Sequence, residues 1–222
     1  MTNLKFLRFN VVAELLFFVR IGEVRERTVR YVQTVSNVLN LVKAAILPAL
    51  AKAKVVVDAT AGNGNDTLFL AEHTGDEAKI YAFDIQQAAL DNTRMKTAAY
   101  AQRIVYVLRS HAELDCVVAE DIDLAMFNLG YLPGEGHNVT TKVESTREAL
   151  RQVLAKLSLN GVCVLVVYPG HEAGAQEAAM LEDYLSALVK QDYTVGCYLW
   201  RNHSRTAPYA YVVEKVRKRS ED

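Results

Sequence analysis

The sequence is poor in the residues from which disulfide frameworks and zinc sites are built. It contains three cysteines, Cys116, Cys163 and Cys197, which are far apart and form no Cys-X-X-Cys pair. An odd number of scattered cysteines argues against a disulfide framework or a zinc site and fits a reducing compartment. We therefore expect a cytoplasmic protein with no metal site.

The chain also lacks an excess of charge of either sign. Its formal net charge is -1 at pH 7, so any attraction to nucleic acid must come from a local patch. Basic residues concentrate near the C-terminus, in the stretch 201–205 and at Lys215, Arg217, Lys218 and Arg219. Arg201 and Arg205 are therefore candidate RNA contacts, with a solvated hairpin and tail as the equal alternative.

No apolar run is long enough to cross a bilayer. The N-terminal run over residues 11–21 is interrupted by Glu14 and Arg20, whereas about 20 apolar residues are needed to span a membrane. No small-residue cleavage site follows it. We interpret residues 1–33 as an N-terminal extension formed by an amphipathic or packed helix, and a membrane or export role is the less favoured alternative.

Repeats and low-complexity linkers are absent as well, and 222 residues suit one α/β domain better than two. We assign residues 34–222 to that domain. Helices are predicted at 34–50, 66–73, 87–101, 146–157 and 175–190. Strands are predicted at 55–58, 79–83, 104–108, 124–128, 162–168, 194–199 and 209–215.

This alternation predicts a Rossmann-like α/β fold. Strands that alternate with helices form a mainly parallel sheet, here of seven strands, with helices on both faces. No helix separates the last two strands, so they should form an antiparallel hairpin at one edge. In such sheets, ligands bind beyond the carboxyl ends of the strands.

The first strand-end loop has the features of a nucleotide-cofactor site. It reads DATAGNGND over residues 58–66. Gly62 and Gly64 allow the backbone to approach a ligand closely, and the helix that follows offers free N–H groups. The second strand ends at Asp84, whose carboxylate can accept both hydroxyl hydrogens of a ribose. The alternative for Asp84 is a cap on the next helix.

Two cofactors compete for this pattern. The motif of a nicotinamide dinucleotide site contains a third glycine three residues after the second, and Thr67 occupies that position in this sequence. An acidic residue at the end of the first strand, here Asp58, is typical of an S-adenosylmethionine site, which we therefore favour. His111, in the third loop, should lie near the adenine or make a structural hydrogen bond. The candidate cofactor residues are Asp58, Thr60, Gly62, Asn63, Gly64, Asp66, Thr67, Asp84, Ile85 and His111.

The fourth loop bears on the chemistry of the reaction. It reads FNLGYLPG over residues 127–134 and looks like a variant of the [Asp/Asn]-Pro-Pro-[Tyr/Phe] motif of methyltransferases that act on amino nitrogens. The Asn128 carbonyl can accept a hydrogen from an amine and aim the nitrogen lone pair, while Tyr131 can stack on a flat base. Asn128 and Tyr131 are the predicted catalytic residues, with loop capping and packing as the alternative.

Two further positions are candidate substrate contacts. Pro133 lies in the same loop, and His171 follows the fifth strand in the sequence YPGHE over residues 168–172. His171 could contact the substrate or accept a proton, although a neutral amine needs no side-chain base.

Taken together, three motifs resemble a known bacterial family. They are DATAGNGNDTLFLA (58–71), FNLGYLPG (127–134) and YPGH (168–171), and they resemble the family long labelled "putative rRNA methylase" over residues 34–215. Relatives have His where this chain has Asn65, and residues 1–33 precede the usual start of the family.

The resemblance implies a class I methyltransferase fold with S-adenosylmethionine as the methyl donor. Despite the label, characterised relatives methylate the amine of 5-aminomethyl-2-thiouridine at the tRNA wobble position. We therefore expect tRNA as the partner. Methylation of rRNA or of a small-molecule amine, and a non-catalytic RNA-binding protein, are the alternatives. The sequence leaves a homodimer open.

Overall fold

The structure, a computed structural model, describes residues 36–130 and 142–217. The helix predicted within residues 1–33 lies outside the described residues. So do Tyr131 and Pro133 of the fourth loop, and Lys218 and Arg219 of the basic tail.

Strands and helices alternate along the described part of the chain. The strands are β1 (Val55–Asp58), β2 (Lys79–Asp84), β3 (Ile104–Leu108), β4 (Ile122–Leu129), β5 (Leu157–Val167), β6 (Tyr193–Tyr198) and β7 (Tyr209–Lys215). The α-helices are α1 (Val38–Leu50), α2 (Asn65–His73), α3 (Gln87–Lys96), α4 (Val143–Lys156) and α5 (Glu172–Ser186). Short 3₁₀ helices span Ala98–Arg103 and His111–Cys116.

The strands form one sheet in the order β3-β2-β1-β4-β5-β7-β6. The first five pair in parallel, whereas β7 is antiparallel to both β5 and β6. This confirms the predicted Rossmann-like α/β fold with its antiparallel hairpin at one edge. The strand order reverses between β1 and β4, which is the point at which such sheets bind ligands.

Both faces of the sheet are buried, which explains the continuous apolar runs in its central strands. Successive residues of β1 point to opposite faces. Val56 belongs to a core cluster with Val42 of α1, completed by residues of α2 and α3. Val57 belongs to a second cluster with Leu150 of α4 and Leu181 of α5. The predicted helices therefore lie on both faces. No helix in the described part of the chain is long and apolar enough to span a membrane.

Several predicted helix boundaries were wrong: α1 begins at Val38 and not at 34, α4 spans Val143–Lys156 and not 146–157, and α5 spans Glu172–Ser186 and not 175–190. Two further differences have local reasons. The helix predicted at 87–101 stops at Lys96, because the Thr97 hydroxyl donates to the Thr93 carbonyl and Thr97 leaves the helical conformation. The strand predicted at 162–168 begins earlier, at Leu157. Asn160 adopts a left-handed φ of 64°, and the register with β4 shifts nearby. The polar residues at the start of β5 suggested a turn in the sequence, but in the structure they continue the strand through a bulge.

Candidate functional site

A cleft of about 590 Å³ opens at the carboxyl ends of the parallel strands. This volume is in the range of small-molecule sites. Residues that end or follow each of the five parallel strands line it, and they include Thr60, Asp84, His111, Asn128 and Tyr168.

The glycine loop after β1 is folded tightly against α3. Gly62 and Gly64 both have positive φ angles, 52° and 73°. A Cβ atom on Gly64 would lie only 2.7 Å from the Thr93 Cα atom, so the close approach of α3 requires glycine here. The Thr93 hydroxyl also lies 3.1 Å from the Gly62 carbonyl, to which it donates. Gly62 and Asn63 line the cleft, while Gly64 sets the turn beneath it.

Asp58 holds the same loop from below. It is fully buried, and its carboxylate accepts hydrogen bonds from the Thr60 N–H at 3.1 Å and the Thr67 hydroxyl at 2.6 Å. Burial, reinforced by the neighbouring charge of Asp66, raises the pKa of Asp58 to about 7. Thr67, the residue that replaces the third glycine of a dinucleotide loop, is therefore the side-chain partner of Asp58.

Asp84 lies in the cleft wall and combines the two roles that the sequence left open. One carboxylate oxygen accepts from the Gly62 N–H and the other from the Gln86 N–H at the start of α3, both at 2.9 Å. Each carboxylate oxygen has a second lone pair, so Asp84 can still accept ribose hydroxyls. The next residue, Ile85, is 59% exposed and lines the cleft, where it offers an apolar face to an adenine ring.

His111 presents a buried acceptor to the cleft. Its Nδ1 lies 3.0 Å from the Ala59 carbonyl, which can only accept, so Nδ1 carries the hydrogen. Burial lowers the pKa of His111 and favours the neutral ring, in which Nε2 is then an acceptor. Nε2 is buried and has no partner within the described residues. A buried acceptor of this kind needs a donor, and the adenine amino group of S-adenosylmethionine is a suitable one.

Asn128 is held from both its backbone and its side chain. Its N–H donates to the Thr60 hydroxyl at 2.8 Å, and its Nδ2 donates to Asp66 at 2.9 Å. The other Asp66 oxygen lies 2.5 Å from the Lys43 ammonium of α1. A carboxylate accepts and does not donate, so the Asn128 NH₂ group faces Asp66, and within residues 36–130 and 142–217 its carbonyl oxygen accepts no hydrogen bond. Asp66, predicted as a cofactor residue, thus contacts a predicted catalytic residue.

Sequence reasoning missed several residues that line the cleft. Tyr168 directly follows β5, and its ring packs against Gly130, where a Cβ atom would lie 3.4 Å from it. Burial raises the pKa of its phenol. The strand-end rule that found Asn128 could have found Tyr168. Leu39 of α1, and Lys142 and Ser145 at the start of α4, also line the cleft, but they lie outside strand ends and carried no such signal.

The remaining predicted contacts lie away from the described lining of the cleft. His171 caps α5, where its Nδ1 accepts from the Gly174 N–H at 3.1 Å. Arg201 and Arg205 are exposed in the connection between β6 and β7. Their roles in substrate binding stay predictions, as do those of Tyr131 and Pro133.

Comparison with known proteins identifies the family. The model of a family described as "putative rRNA methylase" matches residues 80–214, which is more than half of the chain. The chain belongs to this family. The match begins after the glycine loop, so the loop supports the assignment independently.

The similar proteins agree with this assignment. The chain is 33% identical over 154 residues to the chloroplastic tRNA (mnm(5)s(2)U34)-methyltransferase of Arabidopsis thaliana, covering 64% of this chain and 56% of that relative. A putative rRNA methylase structure from Clostridium thermocellum has a TM-score of 0.78 and 31% identity, covering 81% of this chain and 97% of that one. A putative methyltransferase from Streptococcus mutans, solved in complex with SAH, has a TM-score of 0.73 and 32% identity, covering 81% and 98%.

The family and the fold together show an S-adenosylmethionine-dependent methyltransferase. The prediction of S-adenosylmethionine over a nicotinamide dinucleotide is thereby confirmed. The acceptors at Asp84 and His111 have the chemistry that ribose hydroxyls and an adenine amino group require.

Proposed function

We propose that this protein transfers a methyl group from S-adenosylmethionine to an amine of RNA, the aminomethyl group of 5-aminomethyl-2-thiouridine at the tRNA wobble position. The orientation of Asn128 is the observation that carries the proposal. With its NH₂ group bonded to Asp66, its carbonyl oxygen is available as an acceptor to the extent that the described residues surround it. A neutral amine can donate one hydrogen to this oxygen and keep its lone pair for the methyl group.

The choice of tRNA draws on the similarity to the Arabidopsis enzyme named for position U34. The chain spans 56% of the length of that relative, and the match covers 64% of this chain. The family description names rRNA instead. Ribosomal RNA is therefore the substrate against which the proposal must be tested. A cytoplasmic location stays a prediction.

The chain's own residues would act by alignment. S-adenosylmethionine, when bound, supplies a methyl group on a positively charged sulfur. Asp84 and His111 would hold the cofactor by its ribose and adenine, and Gly62 lets the backbone approach it. The Asn128 carbonyl would accept one amine hydrogen and turn the nitrogen lone pair toward the methyl group. Orientation of this kind can lower a barrier by about 7–11 kcal/mol in favourable cases.

A side-chain base is not required in this scheme. A neutral amine forms its new bond to carbon with its own lone pair, and the resulting ammonium can release its proton to water. Tyr168 and Gly130 form a flat surface beside Asn128. An aromatic face of this kind can stack against a base that has been turned out of an RNA helix.

The direct test is methylation of defined RNA in vitro. Purified protein and S-adenosylmethionine are incubated with tRNA that carries 5-aminomethyl-2-thiouridine, and the nucleosides are then separated by mass spectrometry. We expect that nucleoside to gain one methyl group. Matched reactions contain the same tRNA with an unmodified wobble uridine, or ribosomal RNA. Methylation of ribosomal RNA with the tRNA left unchanged would refute the proposed substrate.

A further inference from the structure

Three polar side chains from distant parts of the sequence are connected in a row at the cleft. Lys43 of α1 contacts one oxygen of Asp66 at 2.5 Å, and the other oxygen accepts from the Asn128 amide at 2.9 Å. The Lys43 and Asp66 side chains are only 15% and 6% exposed. These two contacts therefore connect α1 with the end of β4.

Lys43 has no direct role in lining the cleft within the described residues. Its ammonium lies over the Phe69 ring, 4.8 Å from the centroid, as well as against Asp66. Burying such a pair is costly, and apolar residues of similar size stabilise a fold equally well or better. A contribution to stability is thus a weak explanation for a lysine at this position. Its contact with Asp66 offers a better explanation.

The position of Asp66 decides which way the Asn128 amide points. A carboxylate oxygen accepts and does not donate, so Asp66 binds the amide NH₂ and turns the carbonyl oxygen away from itself. This orientation requires the Asp66 carboxylate to stay within reach of the amide, and the Lys43 ammonium holds its other oxygen.

Lys43 is the positively charged partner of Asp66. Asp58, on β1, is a second buried acidic side chain that interacts with Asp66, and the Tyr168 phenol after β5 interacts with it as well. Neither of these groups carries a positive charge. Among the described residues, Lys43 is the cation in contact with Asp66.

We propose that Lys43 is a positioning residue for methyl transfer, which acts through Asp66 to keep the Asn128 carbonyl oxygen directed at the reacting amine. The identity of that amine rests on the proposed function. The coupling of Lys43 to Asn128 does not, because it follows from the contacts alone.

The first experiment compares Lys43→Met with Lys43→Arg, which keeps the charge. Lys52→Met is the matched control, because Lys52 is exposed beyond the end of α1. We expect Lys43→Met to lower the turnover number on the order of 10-fold with little change in cofactor affinity, since misalignment of a nucleophile affects turnover. Lys43→Arg should restore most of the turnover.

A double-mutant cycle identifies the route of the effect. If Lys43 acts through Asn128, Lys43→Met should add no further loss in an Asn128→Ala background. Equal losses in both backgrounds would overturn the proposal. Should Lys43→Met fail to fold, the double variant Lys43→Met/Asp66→Asn removes both charges of the ion pair. It should show a turnover loss of the same order, because the amide introduced at position 66 can bond the Asn128 amide in either orientation. Wild-type turnover in this double variant would overturn the proposal.

A readout independent of the reaction separates this inference from the proposed substrate. The side-chain NH₂ signals of Asn128 in ¹⁵N nuclear magnetic resonance report its bond to a carboxylate. They should move in Lys43→Met and stay in place in Lys52→Met. Unchanged signals in Lys43→Met would overturn the inference. A wild-type protein that methylates no aminomethyl group would refute the proposed function and leave the result on Asn128 interpretable.

Discussion

The two sides of the cleft are built in different ways. On the cofactor side, at the ends of β1 and β2, the acidic residues bind groups of the two adjoining loops. Asp58 bonds to Thr60 and Thr67, and Asp84 bonds to Gly62 and Gln86. On the amine side, Asn128 at the end of β4 depends on side chains more than sixty positions earlier in the chain.

This difference separates two tasks of the same sheet edge. The bonds of Asp58 and Asp84 shape the two loops that would surround a cofactor, and they involve only residues of β1, β2 and the segments that follow these strands. Bonds between α1, α2 and β4 set the direction of a single acceptor, and they require the whole sheet to be assembled. We therefore expect changes on the first side to alter stability or cofactor affinity, and changes on the second side to alter turnover.

The largest expected effect concerns Asp58 and the stability of the fold. Its pKa of about 7 lies above its ordinary value of 3.8, so the folded protein keeps a proton that the unfolded chain loses between these values. The contribution of Asp58 to stability is thus present below about pH 4 and is lost as the pH rises through 7. Over that interval, its share of the free energy of unfolding should fall by up to about 4 kcal/mol.

Chemical denaturation of Asp58→Asn between pH 4 and pH 8 tests this. The variant cannot ionise, so its stability relative to the wild type should increase as the pH rises. Asp76→Asn, which changes an exposed carboxylate between α2 and β2, should follow the wild-type curve. Parallel curves for Asp58→Asn and the wild type would mean that the buried Asp58 does not retain a proton in the folded protein, and the expected effect on stability from this side of the cleft would be refuted.

The second prediction addresses the amine side. Asn128→Ala removes the acceptor but leaves the loops at Gly62 and Asp84 intact. We expect a turnover loss on the order of 100-fold, as misplaced nucleophiles commonly show, with near-normal affinity for S-adenosylmethionine. Single-turnover methylation and calorimetric titration of the cofactor measure the two quantities. A fully active variant would mean that Asn128 does not align the amine, and a variant that loses cofactor affinity in equal measure would place Asn128 with the cofactor loops.

The third prediction returns to the cofactor side. Asp84→Ala removes the carboxylate available to the ribose and the acceptor of the Gly62 N–H. Cofactor binding should weaken by about 1.5–3 kcal/mol, the scale of hydrogen bonds to a charged group. Calorimetry measures the loss, and Asp76→Ala serves as the exposed control. Normal binding by Asp84→Ala would reduce Asp84 to a cap of α3.

These contrasts also explain how far the sequence could be interpreted. The fold and the cofactor loop could be predicted because their signals lie in short segments of sequence: apolar runs, glycine turns and acidic residues at strand ends. Tyr168 obeyed the same rule and could have been found. Lys43 could not, since it lies mid-helix with neighbours that reveal nothing of Asp66. Long-range pairs of this kind become visible only when the sheet places α1 beside α2.

The smallest expected effect lies outside the cleft, at Arg201 and Arg205. Both are exposed on the connection between β6 and β7, and a net charge of -1 leaves the chain without a general attraction to RNA. If these arginines contact phosphates, each contact releases counterions and adds about 0.7–0.9 to the slope of log affinity against log salt concentration. The double variant Arg201→Ser/Arg205→Ser should therefore bind tRNA with a shallower salt dependence.

This prediction is tested by the slope of log affinity against log salt concentration and not by the affinity at one salt concentration. Loss of two positive charges anywhere weakens RNA binding slightly at low salt, so Lys52→Gln/Lys190→Gln, which removes two exposed charges elsewhere, is the matched control. We expect the control to keep the wild-type slope and the arginine variant to reduce it by at most about two. Methylation of a free nucleoside should be equal in all three proteins, because the cleft is untouched. Equal slopes in both variants would show that tRNA docks on another surface, and the hairpin would be a solvated edge of the sheet.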